Sequence, residues 1–258
     1  MRIGDLTKRG DRSLINMGSW TRTLAFRRKL DQSIRAIEEW RGRCSRPIVS
    51  VSGGKDSTLL LLLCRQVDPD IIALRADPPN PLPDRQAHVD ELKRAMGGSW
   101  STVDYPWDVD AVLARDERYP ARLKIRALQT EAASLGADGV AIGIRAAESR
   151  ERRISCYQRG LVYRVASGRL RCTPLAWWTA EEVIGALVSQ DAAPLNPVYR
   201  RTHLMPRGRV ESLRDGTWWP HIDPADHRPW LAYHYPELIE QYDRAVFVHR
   251  QRLEDWNG

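Results

Sequence analysis

Ile48-Val49-Ser50-Val51-Ser52-Gly53-Gly54-Lys55-Asp56-Ser57-Thr58-Leu59-Leu60-Leu61-Leu62-Leu63 decides how this chain is read. Pro47 breaks what precedes it, and Ile48 to Val51 has the short, unalternating apolar character of a strand buried on both faces. The apolar run after Thr58, continuing to about Gln66, reads as a helix. Between them lies a turn that can hold an anion. Two glycines let the backbone approach a ligand closely and take up positive φ. The free N–H groups at the start of the helix, and its dipole, favour negative charge. Ser52, Ser57 and Thr58 add hydroxyl donors, and Lys55 adds a compact cation. The sequence is neither GxxxxGK[ST], which occurs nowhere in the chain, nor GxGxxG. A Gly-Gly turn with incidental polar residues is the competing reading, and the strand–turn–helix setting argues against it.

Outward from this turn the chain alternates strands with helices. Upstream, Ser19 to Arg43 carries a helical pattern, with Leu24, Leu30, Ile34, Ile37 and Trp40 as its apolar positions. Downstream come a strand at Ile71 to Leu74 reaching Asp77, a proline-rich loop, and a helix over Asp84 to Met96. A weak strand at Trp100 to Val103, a helix over Ala121 to Leu135 and a strand at Val140 to Ile142 follow. Leu161 to Val165 and Arg169 to Thr173 form a hairpin around Ser167-Gly168. Thr179 and Glu182 make a capping box that opens a helix to about Val188, and Pro236 to Trp256 reads as a final helix. The expected fold is α/β, a mainly parallel twisted sheet with helices on both faces. A smaller irregular and helical C-terminal extension follows it. The expected division is an N-terminal helical segment over 1–45, a nucleotide domain over 46–199 and the extension over 200–258.

Composition narrows the class. The 258 residues contain 42% hydrophobic and 28% charged residues, ordinary for a globular protein. The longest aliphatic run, Leu59 to Leu63, is far short of a membrane span. The opening MRIGDLTKRGDRSLINMGSW lacks the apolar core of a secretory signal, so a cytoplasmic location is expected. The four cysteines, Cys44, Cys64, Cys156 and Cys172, are widely spaced and read as reduced thiols rather than a metal site. A net charge of +7, almost all of it from arginine, admits an anionic partner such as a nucleotide, sulfate or nucleic acid.

The turn resembles the PP-loop of N-type ATP pyrophosphatases. More narrowly, the chain is similar to the phosphoadenosine phosphosulfate reductase family, which also includes the small subunit of sulfate adenylyltransferase and DNA phosphorothioation enzymes. Besides Ser52 to Ser57, the resemblance rests on Asp77 and on Gly143-Ile144-Arg145-Ala146-Ala147-Glu148-Ser149-Arg150, which is like the family's GxRxxES segment. It rests also on Pro174-Leu175 with Trp177 or Trp178, and on Pro194-Leu195-Asn196-Pro197-Val198-Tyr199. It covers about Ile37 to Tyr199.

That resemblance implies an adenine nucleotide α-hydrolase-like fold and an enzyme that uses ATP and Mg2+. Ser52, Gly53, Gly54, Lys55, Asp56, Ser57 and Thr58 would hold the phosphates, with Asp56 near the metal. Arg75 to Asp77 and Gly143 would border adenine and ribose, and Lys55, Asp56 and Arg145 would carry the catalysis. Arg145, Glu148, Ser149, Arg150 and Arg153 would form an anion-binding rim for the second substrate. The arginines from Arg159 onward read instead as solvated surface. The activity expected is adenylylation of a second substrate with release of pyrophosphate, in sulfur transfer to a nucleotide or nucleic acid. A homodimer, or a partner protein that supplies sulfur, is compatible with it. The alternatives are a sulfonucleotide reductase and a non-catalytic nucleotide binder. Family reductases use a cysteine near the C-terminus as nucleophile, and here no cysteine follows Cys172. The intact Lys55-Asp56-Ser57 counts against a degenerate binder.

Two further clusters have bland readings. Arg200, Arg201, Arg207 and Arg209 near Tyr199, Trp218 and Trp219 form a basic and aromatic stretch that more often reflects packing than nucleic-acid binding. His221, Asp223, Asp226 and His227 fall in one turn-like segment and read as surface loop rather than metal site.

Overall fold

The computed structural model describes residues 20–78, 82–105, 119–189, 193–201 and 228–257. Six strands form one sheet: β1 (Pro47–Ser50), β2 (Ile72–Asp77), β3 (Trp100–Asp104), β4 (Gly139–Ala141), β5 (Val162–Arg164) and β6 (Leu170–Cys172). Their order is β3-β2-β1-β4-β6-β5, all pairs parallel except β5 with β6. From β1 the chain builds outward through β2 and β3, then returns to place β4 on the other side of β1. The order therefore reverses at β1, and the crevice at its carboxyl end is where open α/β sheets bind ligands.

Eight α-helices are described: α1 (Leu24–Gly42), α2 (Lys55–Val67), α3 (Pro83–Met96), α4 (Tyr119–Ser134), α5 (Arg150–Arg159), α6 (Ala180–Ser189), α7 (Arg228–His234) and α8 (Pro236–Asn257). The alternation of side chains along a strand explains the unbroken apolar run of β1. Val49 joins the cluster of Ile37, Trp40 and Leu59 to Leu63, on the side of α1, α2 and α6. Ile48 and Leu74 join Ala132 of α4 and the adjoining Ala137 on the other side. Both Ile48 and Val49 are almost wholly buried, and α2 is apolar nearly all round because it lies inside this layer.

The capping box forms as its spacing predicts. The Thr179 amide donates to Glu182 at 2.8 Å and the Glu182 amide to Thr179 Oγ1 at 3.2 Å. The hairpin also forms, turning at Gly168 with φ 81°, and its second strand extends the parallel sheet.

α1 keeps most of the expected pattern, with Ile37 and Trp40 buried and Leu30 and Ile34 packed against the core, and departs from it at its start and at Ser33. It starts at Leu24 with Thr23 as N-cap, after a short 3-10 turn, and its buried face is Phe26, Ser33, Ala36, Ile37 and Trp40. Leu24 is exposed. Ser33 is tolerated there because its hydroxyl donates to the Pro174 carbonyl (2.8 Å) and accepts from Trp178 Nε1 (2.9 Å). At the other end of the chain, Trp230 Nε1 donates to the Arg201 carbonyl, while Arg201 and Tyr235 both hold Asp84 at the start of α3. No helix among the described residues is long and apolar enough to cross a membrane.

Candidate active site

The turn between β1 and α2 is held from behind by its carbonyls. Gly53 has φ 89°, a conformation that favours glycine. The Ser52 carbonyl accepts from Arg75 Nη1 (3.0 Å) and Arg85 Nη2 (3.3 Å). The Gly53 carbonyl accepts from Asn196 Nδ2 (3.2 Å) and lies 3.2 Å from His88 Nε2. In a trans peptide the N–H points opposite to the C=O, so drawing these carbonyls inward turns the Gly53 and Gly54 amides the other way, where the Gly54 amide donates to Ser52 Oγ at 3.3 Å. Within the loop, Ser57 Oγ bridges the Gly54 carbonyl, the Ser52 amide and Ser52 Oγ at 3.0–3.1 Å. Tyr199 Oη accepts from the Lys55 amide at 3.0 Å. Gly54 caps α2 without a side chain, which leaves the positive end of the helix open towards the crevice.

Charge is concentrated at this point. Asp56 lies between two buried cations: its Oδ2 is 2.9 Å from Lys55 Nζ, and its Oδ1 is 2.6 Å from Arg145 Nε. Lys55 and Arg145 are each about 5% exposed. Glu148 lies 3.8 Å from Arg145 Nη2, accepts from the Arg145 amide and pairs with Arg152. Burial lowers the Lys55 ammonium below its ordinary range, Asp56 opposes this and Arg145 adds to it.

A cavity of about 350 Å³ opens above this group, walled by Ser50, Ser52, Gly54 to Ser57, Lys124, Ile142 to Ile144, Glu148, Arg152 and Tyr199. A second, mainly apolar cavity of about 650 Å³ lies under α4 and shares Ser50, Ile142 and Ile144 as walls. Together they offer a polar compartment beside an apolar one.

Several of the residues singled out in the sequence meet here: Ser52, Gly54, Lys55, Asp56, Ser57, Gly143 and Glu148 line the polar cavity, and Arg145 reaches it through Asp56. Gly53 forms the turn behind it, and Thr58 is buried in α2. Asp77 is ion-paired with the buried Arg75 and stands outside the cavity walls. Gly143 makes a close backbone approach: a Cβ there would lie 3.1–3.2 Å from backbone atoms of Asp56 and Ser57. Ser149 caps α5 by accepting from the Arg152 amide. Arg150 and Arg153 are exposed and outside the wall, whereas Arg152 is part of it.

Sequence reasoning gives no role to Arg85, His88 or Lys124 and names Tyr199 only within the segment that carries the resemblance. Arg152 falls among the arginines up to Arg153 read there as an anion-binding rim, and its i,i+4 spacing from Glu148 accords with its place in the wall. Arg201, from the basic stretch, turns to Asp84, while Arg207, Arg209, Trp218, Trp219 and the segment His221 to His227 lie outside the described residues. All four cysteines are buried free thiols. Burial raises each of them, Cys44 to about 11. Among the described residues no group of three His, Cys, Asp or Glu is placed to hold a metal unaided.

A parallel sheet with an SGGKDS turn at the point where its strand order reverses, facing a cationic cavity, defines an α/β protein of the PP-loop kind. The chain belongs to the phosphoadenosine phosphosulfate reductase domain family, whose sequence model matches residues 46–204. A search of curated protein sequences finds no match. Among solved structures it is similar to phosphoadenylyl-sulfate reductase from Candida auris, in a phosphate complex. That pair has TM-score 0.54 and 15% identity, over 66% of this chain and 84% of that one. It is also similar to Candida glabrata FMN adenylyltransferase bound to FMN and an ATP analogue, with TM-score 0.52 and 17% identity, over 79% and 71%. The ATP complex of the same enzyme gives TM-score 0.51 and 18% identity, over 79% and 70%. At these identities the structural likeness bears on the fold.

Proposed function

We propose that the protein is an ATP pyrophosphatase-type enzyme that binds ATP at Ser52 to Ser57 and adenylylates a second, anionic substrate, releasing pyrophosphate. The observation that carries this reading is the Lys55–Asp56–Arg145 cluster at the carboxyl end of β1. It sets two buried cations and a helix start beside one polar cavity of about 350 Å³.

ATP would lay its β- and γ-phosphates against the turn and its base in the apolar cavity behind Ile142 and Ile144. Attack on the α-phosphorus needs the phosphate oxygens neutralised and the pyrophosphate stabilised as it leaves. Lys55, the loop amides and Ser57 supply the second, while Arg145, with Arg152 at the rim, supplies the first. Magnesium fits the donor set only together with phosphates: Asp56 and Glu148 are the wall carboxylates that would hold it. A cation held by one or two carboxylates plus phosphate oxygens is the usual arrangement for that ion. Bound there, it would add charge neutralisation to the leaving pyrophosphate.

Residues 46–199 contain this whole machinery, with 1–45 and 200–258 as flanking segments. Reduction of a sulfonucleotide by these cysteines is disfavoured, because all four thiols are buried and raised. Sulfur, if it is transferred, would come from a partner protein, and the free thiols accord with a reducing, cytoplasmic setting. The test is incubation with Mg2+ and ATP labelled at the α-phosphorus, with sulfate, tRNA or DNA added in turn. The expected products are AMP and pyrophosphate, lost in the Asp56→Ala, Ser57→Ala double variant. ADP as the product, or tight binding of a sulfonucleotide with no AMP formed, overturns it.

A further inference from the structure

The sequence reading grouped Arg150 and Arg153 with the anion rim, yet neither lines the cavity. α5, with the sequence RERRISCYQR, explains why. Cys156 is its one buried residue, and Arg152, a turn earlier on that side, faces Glu148 and the cavity. Arg150, Arg153, Ile154 and Tyr157 follow the i, i+3, i+4, i+7 spacing of a single opposite stripe. That stripe is exposed along its length: Ile154 is 47% and Tyr157 75% accessible. Among the described residues neither Arg150 nor Arg153 has an ion-pair partner, whereas Arg152 does. The one acid of the helix, Glu151, lies off the stripe. At its far end the Tyr157 ring stands edge-to-face with Trp177, with centroids 4.8 Å apart.

We infer that this stripe is a docking surface for a single-stranded polynucleotide. A tyrosine that is exposed yet held in place by a tryptophan offers a preset flat face, and an unstacked base has the flat apolar face that fits. Two unpaired guanidiniums on the same line suit consecutive phosphates. A duplex hides its base faces and offers Tyr157 nothing to stack on. From Arg150 to Tyr157 the helix rises about 10 Å, roughly the rise of three stacked nucleotides. The stripe begins at Arg150, two residues from Glu148 and from Arg152, which both line the polar cavity. A single strand is the class of second substrate that the proposed adenylylation would accept. This inference deepens that reading, but strand binding can be measured without ATP, so either can fail alone.

The test is fluorescence anisotropy with a labelled 16-nucleotide oligothymidylate, its RNA counterpart and a 16-base-pair duplex, in the absence of nucleotide. Each phosphate contact on a single strand contributes about 0.7 to the slope of log K against log salt. The double variant Arg150→Gln, Arg153→Gln should therefore flatten the slope by about 1.4. The same change of charge at the exposed Arg27 and Arg28 of α1 should leave it nearly unaltered. Tyr157→Ala should weaken strand binding roughly five- to hundredfold, the span of base–aromatic stacking, and Tyr157→Phe should restore it. Equal effects from the two arginine pairs overturn the inference. So does a Tyr157→Ala variant that binds like wild type, or duplex binding as tight as strand binding. Strand binding with no ATP cleavage would instead sink the adenylylation reading and leave this one standing.

Discussion

Replacing Asp56 with asparagine tests the charge arrangement most directly, because the side chain keeps its shape and loses only its charge. In the structure that one carboxylate neutralises both Lys55 Nζ at 2.9 Å and Arg145 Nε at 2.6 Å, with side-chain exposures of 16%, 6% and 7%. Removing one member of a buried ion pair costs about 3–5 kcal/mol, chiefly because the remaining charge stays buried without compensation. For a chain of this size each kcal/mol moves the melting temperature by about 2–4 °C, so the apo variant should melt about 6–20 °C below wild type. The same change strips the cavity of its internal anion. Pyrophosphate should then stabilise the variant more than wild type, since it replaces the missing charge. At a hundred times its dissociation constant a ligand specific to the folded state adds about 2.7 kcal/mol, enough to recover much of the loss. Differential scanning calorimetry with and without pyrophosphate, in the absence of magnesium, measures both effects. A variant as stable as wild type, with no larger response to pyrophosphate, would refute the view that Asp56 is the counter-ion of two buried cations.

Three other perturbations separate neighbouring ideas. Lys55 has a lowered pKa in the folded chain, so its charge costs stability at neutral pH; that cost fades as pH rises through the lowered value towards the ordinary 10.5. Calorimetric affinity for pyrophosphate should accordingly fall on the alkaline side at a lower pH than an ordinary lysine would give, and Lys55→Arg should remove that limb. Gly143→Ala forces a Cβ against the Asp56 and Ser57 backbone at 3.1–3.2 Å; overpacking of this kind costs about 1–3 kcal/mol, read as a lower melting temperature together with weaker ATP binding. A loss of ATP binding at unchanged stability would mean instead that Gly143 only borders the ligand. Titration with an aromatic disulfide should find the four cysteines unreactive over minutes in the native protein and all four reactive in guanidinium, as their burial and raised thiols require; a fast native thiol would reopen the reductase reading.

Most of the fold was legible in the sequence because its signals were local. β1 and α2 are adjacent apolar runs separated by a turn whose glycines and hydroxyls have few other uses. The Thr179–Glu182 box and the hairpin at Gly168 are likewise written within a few residues. What escaped was set by helical phase and by distant partners. Nothing near Ser33 announces that Trp178 and the Pro174 carbonyl will satisfy its hydroxyl, so the apolar pattern of α1 finds Leu30, Ile34, Ile37 and Trp40 but omits Ser33 and includes the exposed Leu24. Arg150, Arg152 and Arg153 look interchangeable until Ser149 fixes where α5 starts and Cys156 fixes which side faces in. Only then does Arg152 turn to the cavity and its neighbours away from it. Arg75 and Asp77 at the end of β2 were read as borders of the nucleotide, whereas Arg75 is spent on Asp77 and on the Ser52 carbonyl.

Those back-side contacts bear on why an anion site carries an aspartate at all. Arg75, Arg85, Asn196 and His88 fix the Ser52 and Gly53 carbonyls from three different parts of the chain, so the cradle exists before any ligand arrives. A preformed cradle must also keep Lys55 and Arg145 charged and in place while it is empty, and two buried cations without a counter-charge would unfold or lose a proton. Asp56 meets that requirement from within the turn. An entering polyphosphate then competes with Asp56 for both cations, which weakens binding of a bare anion. A ligand that brings its own divalent cation gives the displaced carboxylate a new partner and recovers the difference. On this argument the proposed ATP site would favour magnesium-bound ATP over free phosphate through one residue, and in the Asp56→Asn variant that preference should disappear while affinity for pyrophosphate alone rises.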